Sequence, residues 1–466
     1  MAPSVAEELS DRHVDVSAIR SDLVEQSLQV AEMRNEIAGL KELVAECGRT
    51  GSLQIASPSP DPVAAEAPDR SSEPKWPVNV FGDWAATTGL AEAARRLVVA
   101  MDKAGYELSV GTIASGAPRD EKRIPRVILD ADDSRPYGID IWMLNINEFA
   151  GISDDVIQPR GRKNYTIATW YWELPTFPDH LVPQMARVDE IWVATRFVQA
   201  AFKRATKVPV YVVPAIVPEL DRSGKTRADF GLDEDEVVFL FSFDVNSIVA
   251  RKNPGAFVDA FARAFRSTFQ GESGNVPRTR LVMKVVNLHR RPDVDRWLRQ
   301  AVSEVGGVLI DKDMDHDELM DLFSCADVYV SLHRSEGFGF GIAEAMALGK
   351  PVIATAYSGN LDYATSGNSC QVSYRITEIT SADHVFNQEA SGVYQVGSLW
   401  ADADVEQAAR WMRLLASDPE LRTRIGEAGR LTIRGEYSAQ AAIETVNRRL
   451  DEIGRDRLAD SGTVDP

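Results

Sequence analysis

The chain is 466 residues long, enough for two domains of about 150 to 200 residues and an appendage. Hydrophobic residues supply 44% and charged residues 26%, and no apolar run reaches the roughly 18 residues of a membrane-spanning helix, so a soluble globular protein is expected. With 51 Lys and Arg against 70 Asp and Glu, the net charge of −19 excludes a general nucleic-acid binder, which depends on a dominant basic surface.

Met1 to Ser10 is acidic and has no apolar segment of secretory type, so a cytoplasmic location is expected. Residues 1–47 read as a coiled-coil oligomerisation helix. Leu9, Val16, Leu23, Val30, Ile37 and Val44 recur every seventh position, and Val5, Arg12, Ile19, Gln26, Met33, Leu40 and Cys47 interleave. Opposite charges at Asp15 and Arg20, and at Glu36 and Lys41, match a parallel in-register pair, so a homo-oligomer through residues 5–47 is expected, with the parallel dimer favoured. Met33 and Gln26 in the seam leave a trimer open, and a single amphipathic helix docked on its own domain is the plainer alternative. Residues 48–76 hold Pro58, Pro60, Pro62, Pro68 and Pro74 among small polar residues, the composition of a flexible linker.

From Val78 short apolar runs alternate with helical patterns, as in α/β proteins. Strands are expected at 78–81, 108–113, 139–144, 165–169, 190–194 and 210–213, with a helix over Leu90–Met101. A second series follows at 237–241, 280–286, 307–310, 327–331 and 351–355, and a polar helical stretch runs from Val405 to Leu458. This predicts two doubly wound domains, 77–217 and 218–415, with C-terminal helices over 416–466 that pack back toward the first domain. Ligands in such sheets bind outside the carboxyl ends of the strands, so the cleft between the domains is the expected site. Cys47, Cys325 and Cys370 form neither a disulfide framework nor a metal site and read as buried or incidental thiols.

The most informative segment runs from Ser331 to Leu348. A strand ends, Gly337, Gly339 and Gly341 allow a tight turn, and a helix opens whose free amides suit a phosphate. Glu336 stands before the turn and Glu344 in the first helical turn, so the two carboxylates flank one ligand; on spacing alone, Glu344 as a dipole partner and Glu336 as a solvated charge explain the pattern equally well. The glycines do not satisfy the dinucleotide fingerprint, because the third required position is Ile342 or Glu344.

The run from Glu336 to Glu344, followed by Ala-Met-Ala-Leu-Gly-Lys-Pro-Val, resembles the signature of retaining GT-B glycosyltransferases of family 4, the glycosyl transferases group 1. The resemblance extends loosely over residues 78–450 and implies a GT-B fold, two Rossmann-like domains with the nucleotide-sugar donor on the second. It implies that Glu336 contacts the transferred sugar, that Glu344 holds the ribose hydroxyls, and that the amides around Phe338 and Gly339 approach the donor phosphates. The family pairs an Arg and a Lys with the diphosphate; here Asp244 follows the first strand of the second domain, and the basic pair is assigned to Arg251 and Lys252, one of which is alternatively a solvated helix-start residue. Such a pair stabilises the departing diphosphate without a metal. The loop from Gly82 to Gly89 is similar to the family's glycine-containing loop, making Gly89 a donor-side candidate or else an ordinary helix-start glycine.

A His found in many members is absent from Thr169-Trp-Tyr-Trp-Glu-Leu-Pro, leaving Glu173 as the acceptor-side polar group. Trp170, Tyr171 and Trp172 either stack on a sugar or pack beneath the sheet, and Asn145 and Asn147 are weaker acceptor-side candidates. No histidine set has metal-ligand spacing, and Asp132-Asp133 and Asp311-Lys-Asp313 fall in loops, so no metal and no cofactor are expected beyond the donor substrate. The implied function is transfer of a sugar from a nucleotide sugar to a glycan, lipid-linked or other hydroxyl acceptor in polysaccharide or glycoconjugate synthesis. An epimerase or phosphorylase on the same fold, or an inactive nucleotide-sugar-binding scaffold, is the alternative. The basic residues Arg119, Lys122, Arg123, Arg126, Arg160, Arg162 and Lys163 make either a peripheral contact with a membrane or lipid-phosphate acceptor, or a solvated face.

Overall fold

The computed structural model describes residues 75–461, apart from 118, 132–133, 162, 220–223, 270–276 and 385–391. The expected coiled coil, the linker through residue 74, Asp132, Asp133 and Arg162 lie outside the described residues.

Continuous apolar strands such as VVFLFSFD are buried on both faces, which is the requirement of a parallel sheet covered by helices. The first sheet contains β1 (Val78–Gly82), β2 (Leu108–Thr112), β3 (Ile139–Met143), β4 (Tyr165–Thr169), β5 (Glu190–Val193) and β6 (Val210–Val212), in the order β2-β1-β3-β4-β5-β6. The second contains β7 (Val237–Asp244), β8 (Thr279–Val286), β9 (Val308–Ile310), β10 (Val328–Ser331), β11 (Val352–Thr355) and β12 (Cys370–Val372), in the order β12-β11-β10-β7-β8-β9. Every pairing within both sheets is parallel. Strand order reverses between β1 and β3 in one sheet and between β7 and β10 in the other, so each lobe opens a crevice at those carboxyl ends.

The bounds of the eleven expected strands fall within three residues of observed ones, and 165–169 coincides. Three strands are not among those expected: β12, and an antiparallel hairpin of β13 (Tyr374–Glu378) with β14 (Leu399–Ala403). The three residues of β12 are followed after one residue by β13, so no helix separates them and the βαβ rhythm used to find the others ends there. Trp400 of β14, with Ile379 and Tyr394 of the connection, packs in an apolar cluster with Trp142, Trp170 and Phe202 of the first lobe.

The principal helices are α1 (Gly89–Lys103), α2 (Arg196–Ala205), α3 (Pro254–Phe269), α4 (Pro292–Glu304), α5 (His316–Cys325), α6 (Phe340–Ala347), α7 (Val405–Ser417), α8 (Pro419–Glu436) and α9 (Ala439–Ser461). Helix α1 starts where the Thr88 hydroxyl accepts from the Ala91 amide. Among the described residues no helix is long and apolar enough to cross a membrane. The polar C-terminal stretch is three helices, divided at Asp418, which caps α8 through its side chain, and at the non-helical Tyr437. Ala442, Ile443, Val446, Leu450 and Ile453 of α9 share a core with Val78, Val80 and Ile141 of the first sheet.

That return is also electrostatic. Arg449 donates to both carboxylate oxygens of Glu190, at 2.6–2.9 Å, and Glu190 is wholly buried in β5. Tyr165 and Trp192 complete its hydrogen bonds. Removing one partner of a buried pair leaves an uncompensated charge, so Arg449→Ala should lower unfolding stability by roughly 3 kcal/mol. Glu190→Gln added to it should cost less than the sum of the single losses, which urea unfolding of the three variants would measure.

Candidate active site

The carboxyl ends of β7 and β10 carry the charged residues at the second lobe's switch point. Beyond β7 the chain enters a short helix, Val249–Lys252, bracketed by Ile248 (φ 65°) and Asn253 (φ 53°). A β-branched residue at positive φ is disfavoured by contact of its Cβ with the backbone, so Ile248 holds a strained turn into this helix. Asn253 fixes the other end by donating from Nδ2 to the Leu332 carbonyl at 2.9 Å.

This helix delivers Arg251 and Lys252 to the loop after β10. Arg251 Nη1 donates to Glu336 Oε2 at 3.0 Å and to the Ser335 carbonyl at 2.9 Å; Lys252 Nζ donates to Glu336 Oε1 at 2.5 Å. Neither cation is a solvated helix-start residue: they close a short helix, and their side chains are 5% and 17% exposed. Burial works against the charge on Glu336, but Lys252 and Arg251 outweigh it and hold the carboxyl down at about 2. Burial, helped by the adjacent Arg251 charge, pulls Lys252 below the ordinary lysine range although Glu336 opposes this.

Glu173 joins from the first lobe. Its Oε1 lies 3.8 Å from Arg251 Nη2, and its Oε2 accepts from Tyr394 at 2.8 Å. The Ser335 hydroxyl donates to the Glu173 carbonyl. The neighbouring tryptophans are core: Trp170 stacks on Phe202 and Trp172 on Phe177. Tyr171 instead faces Phe340 of the second lobe, with ring centres 6.3 Å apart, and its amide donates to Asn145 Oδ1.

Between the glutamates the backbone turns sharply. A Cβ on Gly337 would lie 2.9 Å from the Trp172 carbonyl, so only glycine allows the two lobes to meet there. Gly339, at φ 89°, caps α6, while the Phe338 ring is buried and its carbonyl accepts from Tyr363. The first turn of α6 contains no acid, leaving its amides and positive dipole end uncompensated by the helix itself. Glu344 is the fifth helical residue and therefore belongs to the second turn, correcting the expected first-turn position; the helix opens at Phe340 because Gly339 is the cap.

From there Glu344 reaches the first lobe, where Oε1 accepts from Arg96 Nη2 of α1 at 2.7 Å. Arg96 also donates to Glu92 and Ile216 and stands over the Phe340 ring. Thus Glu336, Arg251, Lys252 and Glu173 form one cluster, and Glu344 belongs to another with Arg96. Gly89 lies at the start of α1, two turns before Arg96, and a Cβ there would meet nothing within 4 Å.

Arg96, Tyr394, Ser358 and Lys284 are not among the site residues expected from the sequence. Arg96 shares a helix face with Gly89 at a seven-residue separation, which is a usable signal; Tyr394 follows a hairpin strand with no motif. Ser358 Oγ accepts from the Glu336 amide at 2.8 Å. Lys284 is buried near the end of β8 and donates to the Val285 carbonyl at 3.2 Å; burial lowers its pKa, against the opposing charges of Asp313, Asp311 and Asp244. Of the basic residues expected to form a surface cluster, Arg119 turns inward to Asp83 at 2.6 Å, Arg123 pairs with Asp120 and Arg160 with Asp155. Among the described residues no three His, Cys, Asp or Glu side chains form a metal-holding group.

This architecture matches solved structures over most of its length. A sucrose-phosphate synthase from Thermosynechococcus elongatus superposes with a TM-score of 0.56 at 17% identity, over 83% of this chain and 100% of that one. Anabaena HepE, solved with UDP and glucose, gives 0.55 at 12% identity, over 81% and 100%. The α,α-trehalose 6-phosphate synthase of Burkholderia multivorans gives 0.53 at 12%, over 82% and 100%.

The fold is GT-B. In sequence, residues 306–377 match the family described as Glycosyl transferases group 1, a stretch that includes both glutamates of the GT-B cleft. A D-inositol 3-phosphate glycosyltransferase from Stackebrandtia nassauensis is 30% identical over 162 residues, 34% of this chain and 35% of that protein. The chain therefore matches about a third of the length of that curated relative.

One consequence of this site is a pH response. His333 is fully buried, and burial, with help from Lys252 and Arg251, holds it down at about 4 against an ordinary 6.5. The folded chain leaves it unprotonated where the unfolded chain protonates it, so its stabilising contribution is complete above pH 6.5 and is lost as pH falls toward 4. The slope from this group is at most about 1.4 kcal/mol per pH unit. His333→Gln should flatten thermal stability between pH 6.5 and 5; an unchanged slope would show that other groups set it.

Proposed function

We propose that this chain is a retaining glycosyltransferase that moves a sugar from a nucleoside diphosphate to a hydroxyl acceptor, in the synthesis of a glycan or glycoconjugate. The observation carrying the proposal is the buried set of Glu336, Arg251 and Lys252 at the β7/β10 switch point, beside a helix start that bears no acid. The group 1 match across both glutamates supports it, as does the enzymatic title of the partial relative.

The donor lies along the second lobe, with its diphosphate toward the α6 amides, Arg251 and Lys252. The bond between the anomeric carbon and the phosphate oxygen breaks, its electron pair leaving with the diphosphate. The acceptor hydroxyl bonds to the same face of that carbon and passes its proton to the departing phosphate oxygen. Glu336 receives hydroxyls of the transferred sugar, Glu344 those of the ribose, and Glu173 faces the acceptor from the first lobe. Two cations and the helix dipole answer the charge that develops on the leaving group, so the reaction is proposed to need no metal.

Thermal stabilisation by UDP-glucose, UDP-N-acetylglucosamine and GDP-mannose, followed by turnover with simple sugar and polyol acceptors, tests this reading; a ligand at 100 times its Kd adds about 2.7 kcal/mol. Glu344→Ala should weaken both the bare nucleoside diphosphate and the nucleotide sugar, by roughly 1.5 to 3 kcal/mol. Glu336→Gln should lower kcat by about ten-fold or more while leaving affinity for the bare diphosphate within a few-fold. Wild-type turnover in that variant would defeat the catalytic reading, and donor consumption without any acceptor would point to an epimerase or phosphorylase.

The basic pair generates a separate test. Excess EDTA should leave turnover nearly unchanged. Activity lost to the chelator and restored by Mg²⁺ or Mn²⁺ would reject the assignment of leaving-group stabilisation to Arg251 and Lys252.

A further inference from the structure

We propose that Ser358 is a positioning residue for Glu336, holding its main chain through a strained backbone whose cost is retained because the serine hydroxyl is needed there. The inference rests on the reading of Glu336 as the group that meets the transferred sugar.

Ser358 lies between β11 and the 3₁₀ turn Gly359–Asp362, with φ 72° and ψ −151°. That combination is essentially a glycine conformation, because a Cβ meets the neighbouring backbone there. A serine in it is therefore disfavoured unless its side chain has work that glycine lacks. It does: Ser358 Oγ accepts from the Glu336 amide at 2.8 Å and donates to the Tyr357 carbonyl at 2.6 Å, using both hydrogen-bonding capacities in a site 4% exposed. The next residue completes the clamp, since the Gly359 amide donates to the Glu336 carbonyl at 2.9 Å.

Both backbone groups of Glu336 are thus tied to consecutive residues of one loop. The geometry needs the unusual torsions, because a Cβ on Gly359 would lie 2.1 Å from the Gly337 carbonyl and the two loops touch main chain to main chain. The same assembly is anchored to the first lobe: Thr195 Oγ1 donates to the Gly337 carbonyl at 2.9 Å, and the Arg196 amide donates to Asp362 Oδ2 at 2.8 Å. Arg251 and Lys252 pull the Glu336 carboxylate toward the β7 side, while Ser358 and Gly359 hold its main chain from the β11 side. The carboxylate is fixed at both ends of its residue.

Two substitutions remove the hydroxyl, and they differ in whether the strain stays. Ser358→Ala keeps the strain and loses the hydroxyl; Ser358→Gly loses both. Deuterium exchange at the Glu336 amide should accelerate about ten-fold or more in both variants, since its acceptor is gone. Ser358→Gly should melt above Ser358→Ala, because only the glycine relieves the strain. Turnover, measured with the nucleotide sugar that best stabilises the wild type, should fall about ten-fold or more in both, with donor KM within roughly three-fold.

Unchanged exchange at Glu336 would overturn the inference, as would wild-type turnover in Ser358→Gly. A Ser358→Gly that melted no higher than Ser358→Ala would also overturn it, because the serine conformation would then carry no strain. Glu336→Gln assayed in parallel separates the two claims: an inactive Glu336→Gln beside a fully active Ser358→Gly removes only the role of Ser358, whereas a fully active Glu336→Gln removes the catalytic reading of the glutamate itself.

Discussion

A buried carboxylate between two buried cations is the constraint around which this site is organised. Taking Glu336, Arg251 and Lys252 out of water costs several kcal/mol per ion, and their mutual attraction offsets this only if the geometry is held closely. Such a set is a poor way to stabilise a fold. Under the proposed function it keeps charges poised for a ligand that carries its own, and the disfavoured torsions of Ile248 and Ser358 frame it from the β7 and β11 sides.

The same constraint explains why the lobes meet as they do. Polar contacts between them concentrate near the glutamates, Thr195 to Gly337, Arg196 to Asp362, Ser335 to Glu173 and Arg96 to Glu344, beside the ring contact of Tyr171 with Phe340. Each can exchange for water or ligand more readily than an apolar interface of equal size. Larger apolar connections are made away from the glutamates, where α9 joins the core of the first sheet and Trp400 of the hairpin enters its other face. Apolar packing and the Arg449–Glu190 pair thus join distant parts of the chain away from the cleft.

Much of this was legible in the chain. The strands could be read because a parallel sheet buries both faces and so demands continuous apolar runs. The turn from Glu336 to Glu344 could be read because a main chain approaching another main chain, as at Gly337, excludes a Cβ, and a positive φ, as at Gly339, favours its absence. The assignment of Arg251 and Lys252 to the diphosphate came from the family resemblance, and what the structure adds is their contact with Glu336. Less legible were β12 and the hairpin, too short and too close together to show a βαβ period, and the turn of α6 that carries Glu344, since a one-residue shift in helix start moves a side chain by 100°.

By itself, then, the sequence determined the alternation of strands and helices, the two sheets and the motif at their switch point, because periodicity and glycine placement act locally along the chain. Only the tertiary structure decided which charges meet. Arg96 and Glu344 are 248 residues apart, Glu173 and Tyr394 are 221 apart, and Arg449 and Glu190 are 259 apart. No local rule links such pairs; they are neighbours because two sheets open their carboxyl ends toward one cleft and the last helix returns to the first lobe. The torsions of Ser358 belong to the same class, since a serine accepts a glycine's conformation only when packing and hydrogen bonds from distant strands compensate for it.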